Sequence, residues 1–178
     1  MPATASVVDP AACALAALTQ HIRETHHAFL RAELPALWEL LREAAAARRA
    51  TTDELRTIGR LFGQFRATLD NHLRKEEEVL FPFIEQLETR LGEGQPAPKH
   101  VFGPLRLPIE VLEEEHALGD RLLAGIRPIW SGWTESRDPS RVLLQLHDRF
   151  AALEDDMARH VHVEDAILFP RTVSLEGR

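Results

Sequence analysis

The sequence contains no tyrosine and a single cysteine, Cys13, among its 178 residues. Without tyrosine, the chain can support neither a tyrosyl radical nor a phenol hydrogen bond to bound oxygen. One cysteine cannot form an internal disulfide, and it cannot supply the thiolates of an iron–sulfur cluster or a structural zinc finger. The cysteine content therefore excludes disulfide scaffolds and thiolate metal centres, and it fits a reducing cytoplasm.

Long apolar runs and dense basic runs are also missing. No apolar run approaches the roughly 20 residues that cross a bilayer. The amino terminus has no basic start before its Ala/Leu stretch, which argues against a signal peptide. The net charge is −7 and lysine and arginine form no dense run, which disfavours nucleic acid and anionic membranes as partners. We expect a cytoplasmic protein that acts on neither.

The sequence shows a helical pattern throughout and no alternating strand pattern. Hydrophobic residues make up 44% of the chain and charged residues 28%, as in a globular domain. We read residues 1–9 as a flexible tail and residues 10–175 as one domain. Its predicted helices cover about 10–47, 51–80, 108–130 and 139–168, joined in the middle by a Gly/Pro-rich linker at 92–98. The predicted fold is an all-α, antiparallel up-down four-helix bundle.

Several local signals set these predicted boundaries. Pro35 is expected to kink the first helix without ending it, and the run 51–54 reads as a capping box for the second. Asp138 is the expected N-cap of the fourth helix, with Pro139 at its first position. The second and fourth helices are expected to stop at the prolines of their Leu-Phe-Pro segments, Pro82 and Pro170.

One segment occurs twice, at residues 72–82 and 160–170. Both copies read His-x-x-x-Glu followed by an aliphatic-Leu-Phe-Pro ending, and their histidines are 88 residues apart. A repeat at this period indicates a duplicated helix-hairpin unit. Residues four apart share one face of a helix, so each copy presents an imidazole beside a carboxylate. Two such faces turned toward each other would form the beginning of a metal site.

These polar residues lie on stripes of apolar residues that recur at steps of three and four, as core-facing stripes do. The stripes are Leu55, Ile58, Phe62, Phe65, Leu69, His72, Glu76, Val79 and Phe83 in the second helix; Ile109, Leu112, His116, Gly119, Leu123, Ile126 and Trp130 in the third; and Leu143, Leu146, Phe150, Leu153, Met157, His160, Glu164 and Ile167 in the fourth. Burying their imidazoles and carboxylates without partners would cost several kcal/mol each. A bound cation would compensate, and mixed imidazole and carboxylate ligands suit iron, manganese or zinc.

The first helix offers two adjacent candidate ligands. His27 continues the stripe of Leu30 and Leu34, whereas His26 continues the earlier stripe that includes Ile22, so the apolar pattern drifts across the pair. Alignment with the downstream face favours His27. At the end of the fourth helix, Asp165 competes with Glu164, and the step of four in the first copy of the repeat favours Glu164.

The remaining polar candidates are expected to be less central. His100 falls in the linker, and His147 and His162 fall off the stripe, so all three are expected to be ordinary histidines. Glu115 is next to His116 in the sequence, close enough to hydrogen-bond to that ligand without binding the metal itself. Asp120 lies one turn after His116 and is not expected to be a ligand, and Phe81 and Phe169 are expected to pack at the bundle end.

The sequence resembles the hemerythrin-like, cation-binding HHE superfamily. The resemblance rests on the combination of the paired histidines of helix one, both His-x-x-x-Glu copies with their Leu-Phe-Pro endings, and Glu115-His116. Within this superfamily the chain looks most like the bacterial repair-of-iron-centres proteins, which are non-haem di-iron proteins of nitrosative and oxidative stress. The resemblance covers about residues 15–175. It implies two non-haem irons, oxo- or hydroxo-bridged when oxidised, held by His27, His72, Glu76, His116, His160 and Glu164, with both glutamates bridging.

The function implied by this resemblance is handling of NO or peroxide, or iron supply for repair of iron–sulfur clusters, with NO or O₂ as the expected small partner. The alternative is a reversible O₂-binding protein or oxygen sensor, so enzymatic activity stays open. Two departures matter. Repair-of-iron-centres proteins often have a preceding paired-cysteine domain, which this sequence does not contain. Oxygen-carrying hemerythrins have a histidine where this chain has Asp120, and they use His-x-x-x-x-Asp in the last helix, a spacing that His160 and Asp165 imitate.

Overall fold

The computed structural model describes residues 13–47, 52–100, 103–133 and 140–177, and within them the chain is helical with no strand. Four long helices form the bundle, and three of them contain a π-helical turn. Their segments are Leu15–Ile22, π turn Arg23–His27 and Ala28–Ala46; Thr52–Lys75, π turn Glu76–Leu80 and Phe81–Gly92; Arg106–Gly132; and Arg141–Val163, π turn Glu164–Leu168 and Phe169–Glu176. We call these the first to fourth bundle helices. The predicted all-α, four-helix architecture is confirmed.

The bundle has two apolar cores separated by a polar layer. The first helix packs mainly on the fourth and the second on the third. The large core includes Leu37, Phe62, Phe65, Ile126 and Phe150, and the small core includes Leu18, Ile84, Leu87, Ile109 and Phe169. Along the second helix, His72 and Glu76 lie between Leu69 of the large core and Leu80 of the small core. The polar layer is therefore enclosed by apolar side chains on both sides.

The prediction that the second and fourth helices stop at their prolines is wrong. Both continue through Pro82 and Pro170, to Gly92 and Glu176. Each proline lies in the first turn of the α-helical segment that follows a π turn. Because the hydrogen-bond pattern changes there, a residue without an N–H is tolerated.

The π turns also shift which residues face the core. Val79 and Ile167 were expected on the core stripes, yet Val79 is 39% exposed and Ile167 only partly buried, whereas Leu80 is 3% exposed and Leu168 fully buried. A π turn holds one residue more than an α-helical turn, so the stripe moves on by one position. In the first helix, the π turn explains why the apolar pattern drifts across His26 and His27.

Other boundaries differ by a few residues. The third helix runs from Arg106 to Gly132, slightly beyond both predicted ends. The first continues through Pro35, as predicted. The fourth begins at Arg141 with Ser140 preceding it. The predicted tail at 1–9, Thr51, Asp138 and Pro139 lie outside the described residues. In the described part of the chain, no helix combines the length and the apolarity needed to cross a membrane.

Candidate metal centre

The polar layer brings together all six side chains predicted as ligands. His27, Glu76, His160 and Glu164 are fully buried, and His72 and His116 are 1% and 4% exposed. The π turns that begin at Glu76 and Glu164 place these carboxylates directly after the α-helical segments that carry His72 and His160. π turns inside helices occur frequently at functional sites.

The six residues form two overlapping groups that share both glutamates. One group consists of His72 and His116 with Glu76 and Glu164, and we call it site 1. The other consists of His27 and His160 with the same two glutamates, and we call it site 2. In each group, one ligand atom from every residue lies within 4.8 Å of all the others. Each site thus offers two imidazole nitrogens and two carboxylate oxygens.

Glu76 divides its two oxygens between the sites. Its Oε1 lies 3.4 Å from Nε2 of His72 in site 1, and its Oε2 lies 3.3 Å from Nε2 of His27 in site 2. A carboxylate with this orientation is placed to bridge two cations.

Glu164 repeats the arrangement from the fourth helix. Its Oε2 lies 3.1 Å from Nε2 of His116 in site 1, and its Oε1 lies 2.8 Å from Nε2 of His160 in site 2. The two copies of the sequence repeat therefore contribute equivalent carboxylates. The alternative ligand Asp165 does not enter either group.

Three of the four histidines donate a hydrogen bond to a carboxylate from Nδ1, the ring nitrogen on the outer side of the layer. The Nδ1–H of His27 donates to Glu77 at 2.7 Å, that of His72 to Glu115 at 3.1 Å, and that of His116 to Asp165 at 2.9 Å. Glu77 is itself paired with Arg31 at 2.6 Å, and Glu115 with Lys75. Such outer hydrogen bonds fix the ring so that Nε2 points to the centre of the layer, and they raise the basicity of Nε2.

His160 is the exception. Its Nδ1 is buried and has no hydrogen-bond partner among the described residues. The ring of His26 stacks on it instead, with 5.3 Å between centroids and 14° between planes. His26 is held by Asp156, whose Oδ1 lies 3.0 Å from its Nδ1. His26 is therefore buried beside the centre without joining either group of ligands.

The two phenylalanines of the Leu-Phe-Pro segments do more than fill the bundle end. Phe81 stacks on His27 at 5.7 Å, and Phe169 stacks on His116 at 6.2 Å with the planes 4° apart. Both rings are fully or almost fully buried. They close the polar layer on the side of the small core.

The carboxylates strongly perturb the acid–base properties of the histidines. Burial alone would lower the pKa of His72, but Glu76 and Glu115 outweigh it and raise the pKa to about 10. At His116, burial again acts to lower the pKa, but Asp165 and Glu164 outweigh it and raise the pKa to about 9. Burial alone would raise the pKa of Glu164, but the adjacent histidines hold it well below its usual value. The layer therefore concentrates negative charge that attracts cations.

The contacts inside the layer fit metal ions better than a network of hydrogen bonds. Nε2 of His72 lies 3.0 Å from Nε2 of His116, and the corresponding distance between His27 and His160 is 3.3 Å. Because His72 and His116 both donate through Nδ1, their facing Nε2 atoms form no hydrogen bond when the two rings share one protonation state, since two lone pairs or two protons then meet. Both oxygens of Glu76 are also buried without a hydrogen-bond partner. Cations between these atoms would satisfy all of them.

A small cavity of about 10 Å³ adjoins site 1. It is lined by the side chains of Phe65, Leu69 and Met157, with His72 and His116 at its inner end, next to Gly119. A Cβ at Gly119 would lie 3.5 Å from the ring of Phe65. The cavity is about the size of one water molecule and reaches the ligands of one site only.

The remaining sequence candidates lie outside both groups of ligands. Asp120 and His162 are exposed. His147 contacts Asp148 and Trp130, and His100 packs edge-on against Phe83. Sequence reasoning missed Glu77 as a partner of a ligand and weighed Asp165 only as a ligand. The repeat carried the signal, because an acidic residue follows the buried glutamate of the His-x-x-x-Glu motif in both copies.

Comparison with known proteins agrees with this geometry. Residues 17–172 match the hemerythrin HHE cation binding domain. Among similar proteins are those named iron-sulfur cluster repair protein YtfE from Enterobacter sp. strain 638 (30% identity, covering 92% of this chain and 68% of the relative), Edwardsiella ictaluri strain 93-146 (31%, 83% and 61%) and Salmonella paratyphi B (28%, 94% and 70%). The chain thus spans about two thirds of the length of these relatives. It belongs to the hemerythrin HHE cation-binding family, as its motifs predicted.

Proposed function

We propose that this member of the hemerythrin HHE family holds two iron ions, one in site 1 and one in site 2, and acts in the response to nitrosative or oxidative stress. The observation that carries the proposal is the orientation of Glu76 and Glu164. Each buried carboxylate directs one oxygen to each histidine pair. This arrangement suits a pair of cations.

The chemistry of the donors supports iron. Each site combines two imidazoles with carboxylate oxygens and contains no thiolate, a set that suits iron among the metals common in proteins. Four protein ligands leave coordination positions open at each ion. Bound ferrous iron would supply electrons and an open position for a diatomic molecule, NO or O₂.

The protein's own residues determine how such a molecule would reach the centre. Phe81 and Phe169 cover the layer toward the small core, whereas the cavity beside His72 and His116 provides space of molecular size. Asp120, one turn beyond His116, is exposed and does not contribute a further ligand. These features favour exchange of a small ligand at site 1.

A role in supplying iron for cluster repair is the second part of the proposal. The similar proteins carry the name iron-sulfur cluster repair protein, and the described part of this chain brings together two groups of histidines and glutamates that could hold iron. Its one cysteine, Cys13, packs against the small core and is not part of the ligand set. Iron would therefore leave through histidine and carboxylate ligands.

The test is anaerobic iron loading of the purified protein, followed by optical spectra before and after addition of NO and then O₂. We expect two irons per chain, a ferric spectrum that bleaches on reduction, and a new spectrum with NO. Transfer of iron to a cluster-free acceptor protein tests the repair role separately. A stable, reversible O₂ adduct would favour oxygen binding instead, and failure to bind iron would overturn the proposal.

Two variants make the test specific. Glu76→Gln removes a bridging carboxylate while keeping the shape of the side chain, and it should abolish the two-iron spectrum. Glu78→Gln changes an exposed glutamate two residues away and should leave the spectrum unchanged.

A further inference from the structure

The two sites are built from equivalent halves of the bundle. Helices two and four carry the sequence repeat, and helices one and three contribute one ligand each, His27 and His116. The outer carboxylates follow the same symmetry, since Glu77 supports His27 and Asp165 supports His116. These two supporting residues are 88 positions apart, as are the bridging glutamates.

The two halves differ at the residue that precedes His27 in helix one and His116 in helix three. Before His116 stands Glu115, which accepts a hydrogen bond from His72 of site 1. Before His27 stands His26, whose ring lies against His160 of site 2. A carboxylate in one half is thus replaced by an imidazole in the other.

Asp156 does not make up for the missing carboxylate. It lies one helical turn before His160, but its Oδ1 is engaged by His26 at 3.0 Å and by Arg159 at 3.6 Å. Its Oδ2 is buried without a hydrogen-bond partner in the described structure, as is Nδ1 of His160. His160 is therefore oriented by ring stacking, whereas His72 is oriented by a charged hydrogen bond.

We propose that the two metal sites are inequivalent, with site 2 the weaker and more readily emptied, because His26 stands where site 1 has Glu115. This proposal rests on the proposed two-iron function and specifies which iron would be released. Outer carboxylates raise the basicity of a ligating imidazole, and their loss typically lowers metal affinity about 10–100-fold. Site 1 has this support at both of its histidines, and site 2 at His27 only.

The experiment is anaerobic titration of the metal-free protein with ferrous iron against a competing chelator. Mössbauer spectra of ⁵⁷Fe are recorded after one and after two equivalents. We expect two binding steps that differ about tenfold or more in affinity, and distinct spectra for the two ions. Binding of two ions with one affinity and one spectrum would overturn this inference but leave the two-iron function standing. Failure to bind a second ion would overturn both.

Two substitutions test the cause. His26→Glu places a carboxylate at the position equivalent to Glu115. It should raise the iron affinity of the weaker binding step toward that of the stronger one. Glu115→Gln should lower the iron affinity of the stronger binding step toward that of the weaker one. Because Glu115→Gln acts in the other half of the bundle, it tests the proposal even where His26→Glu fails to fold.

His162→Ala is the matched control. It removes an exposed histidine two residues beyond His160 on the same helix and should leave both affinities unchanged. If neither His26→Glu nor Glu115→Gln changes the ratio of the two affinities, the outer residues do not set it and the proposal is wrong.

Discussion

Glu76 and Glu77 are neighbours in the sequence, yet their carboxylates lie on opposite sides of the same histidine. Glu76 turns its Oε2 toward Nε2 of His27 at 3.3 Å, whereas Glu77 accepts a hydrogen bond from Nδ1 of that ring at 2.7 Å. The side chain of Glu76 is fully buried, and that of Glu77 is 22% exposed and paired with Arg31. The π turn that begins at Glu76 lets two consecutive residues serve one imidazole from both ends.

The first prediction concerns the bridging carboxylates. Glu164→Gln should reduce the iron content of anaerobically loaded protein from two ions to one or none, because each site loses an anionic oxygen. Total metal analysis after removal of excess iron measures the effect. His162→Ala, a change on the same helix at an exposed position, serves as the control. Two retained irons in Glu164→Gln would show that Glu164 does not bridge.

The second prediction concerns Glu77. Glu77→Gln should weaken binding at site 2 by about 10–100-fold, because His27 loses the charged acceptor that raises its basicity. Chelator competition measures the change in affinity, and circular dichroism checks that the helices persist. Glu114→Gln alters an exposed glutamate and should have no effect. Equal loss of affinity in both variants would mean that only general surface charge matters.

The third prediction concerns pH. In the metal-free protein, the pKa of His72 is raised to about 10 and that of His116 to about 9, against 6.5 for an ordinary histidine. A raised pKa in the folded state stabilises the fold most fully below pH 6.5, and this contribution is lost as pH rises through 9 to 10. The free energy of unfolding of the metal-free protein should therefore fall between pH 6.5 and 10.

Chemical denaturation at a series of pH values measures this dependence. Glu115→Gln should flatten it, because Glu115 is one of the groups that raise the pKa of His72. Over the same range iron should bind more tightly as pH rises, since metal must displace protons from these rings. A flat or rising stability in this range would contradict the proposed charge state of the layer.

The fourth prediction tests the register of the π turn. Leu80→Ala should cost about 2–5 kcal/mol of unfolding free energy, as is usual for truncating a buried leucine. Val79→Ala should stay within about 0.5 kcal/mol, as for a typical surface change. Chemical unfolding of both variants gives the comparison. A loss for Val79→Ala as large as that for Leu80→Ala would contradict the observed register, in which Leu80 is 3% exposed and Val79 is 39% exposed.

The sequence predicted the four helices and the six converging side chains because both depend on local periodicity. His72, Glu76, His160 and Glu164 stand out as polar residues on apolar stripes, and the repeat doubles that signal. Helix boundaries are predicted less well, because a proline in a helical pattern usually indicates a stop. Pro82 and Pro170 are tolerated here because the π turns before them have already changed the hydrogen-bond pattern.

The outer residues were harder to predict, since their roles depend on contacts between helices. Glu115 was expected beside His116, its neighbour in sequence, but it accepts a hydrogen bond from His72 on another helix. Nothing in the pattern indicated that His26 would stack on His160, 134 positions away. Periodicity identifies which residues face inward, whereas the pairing of faces follows from tertiary packing.

In the proposed centre, Glu76 and Glu164 join two metal ions across the bundle. The most direct test is a crystal structure of the iron-loaded protein with anomalous data collected at the iron edge. We expect two iron peaks, one bound by His72 and His116 and the other by His27 and His160, with both glutamates bound to both ions. A single peak in the layer, or two ions without a shared glutamate, would contradict it.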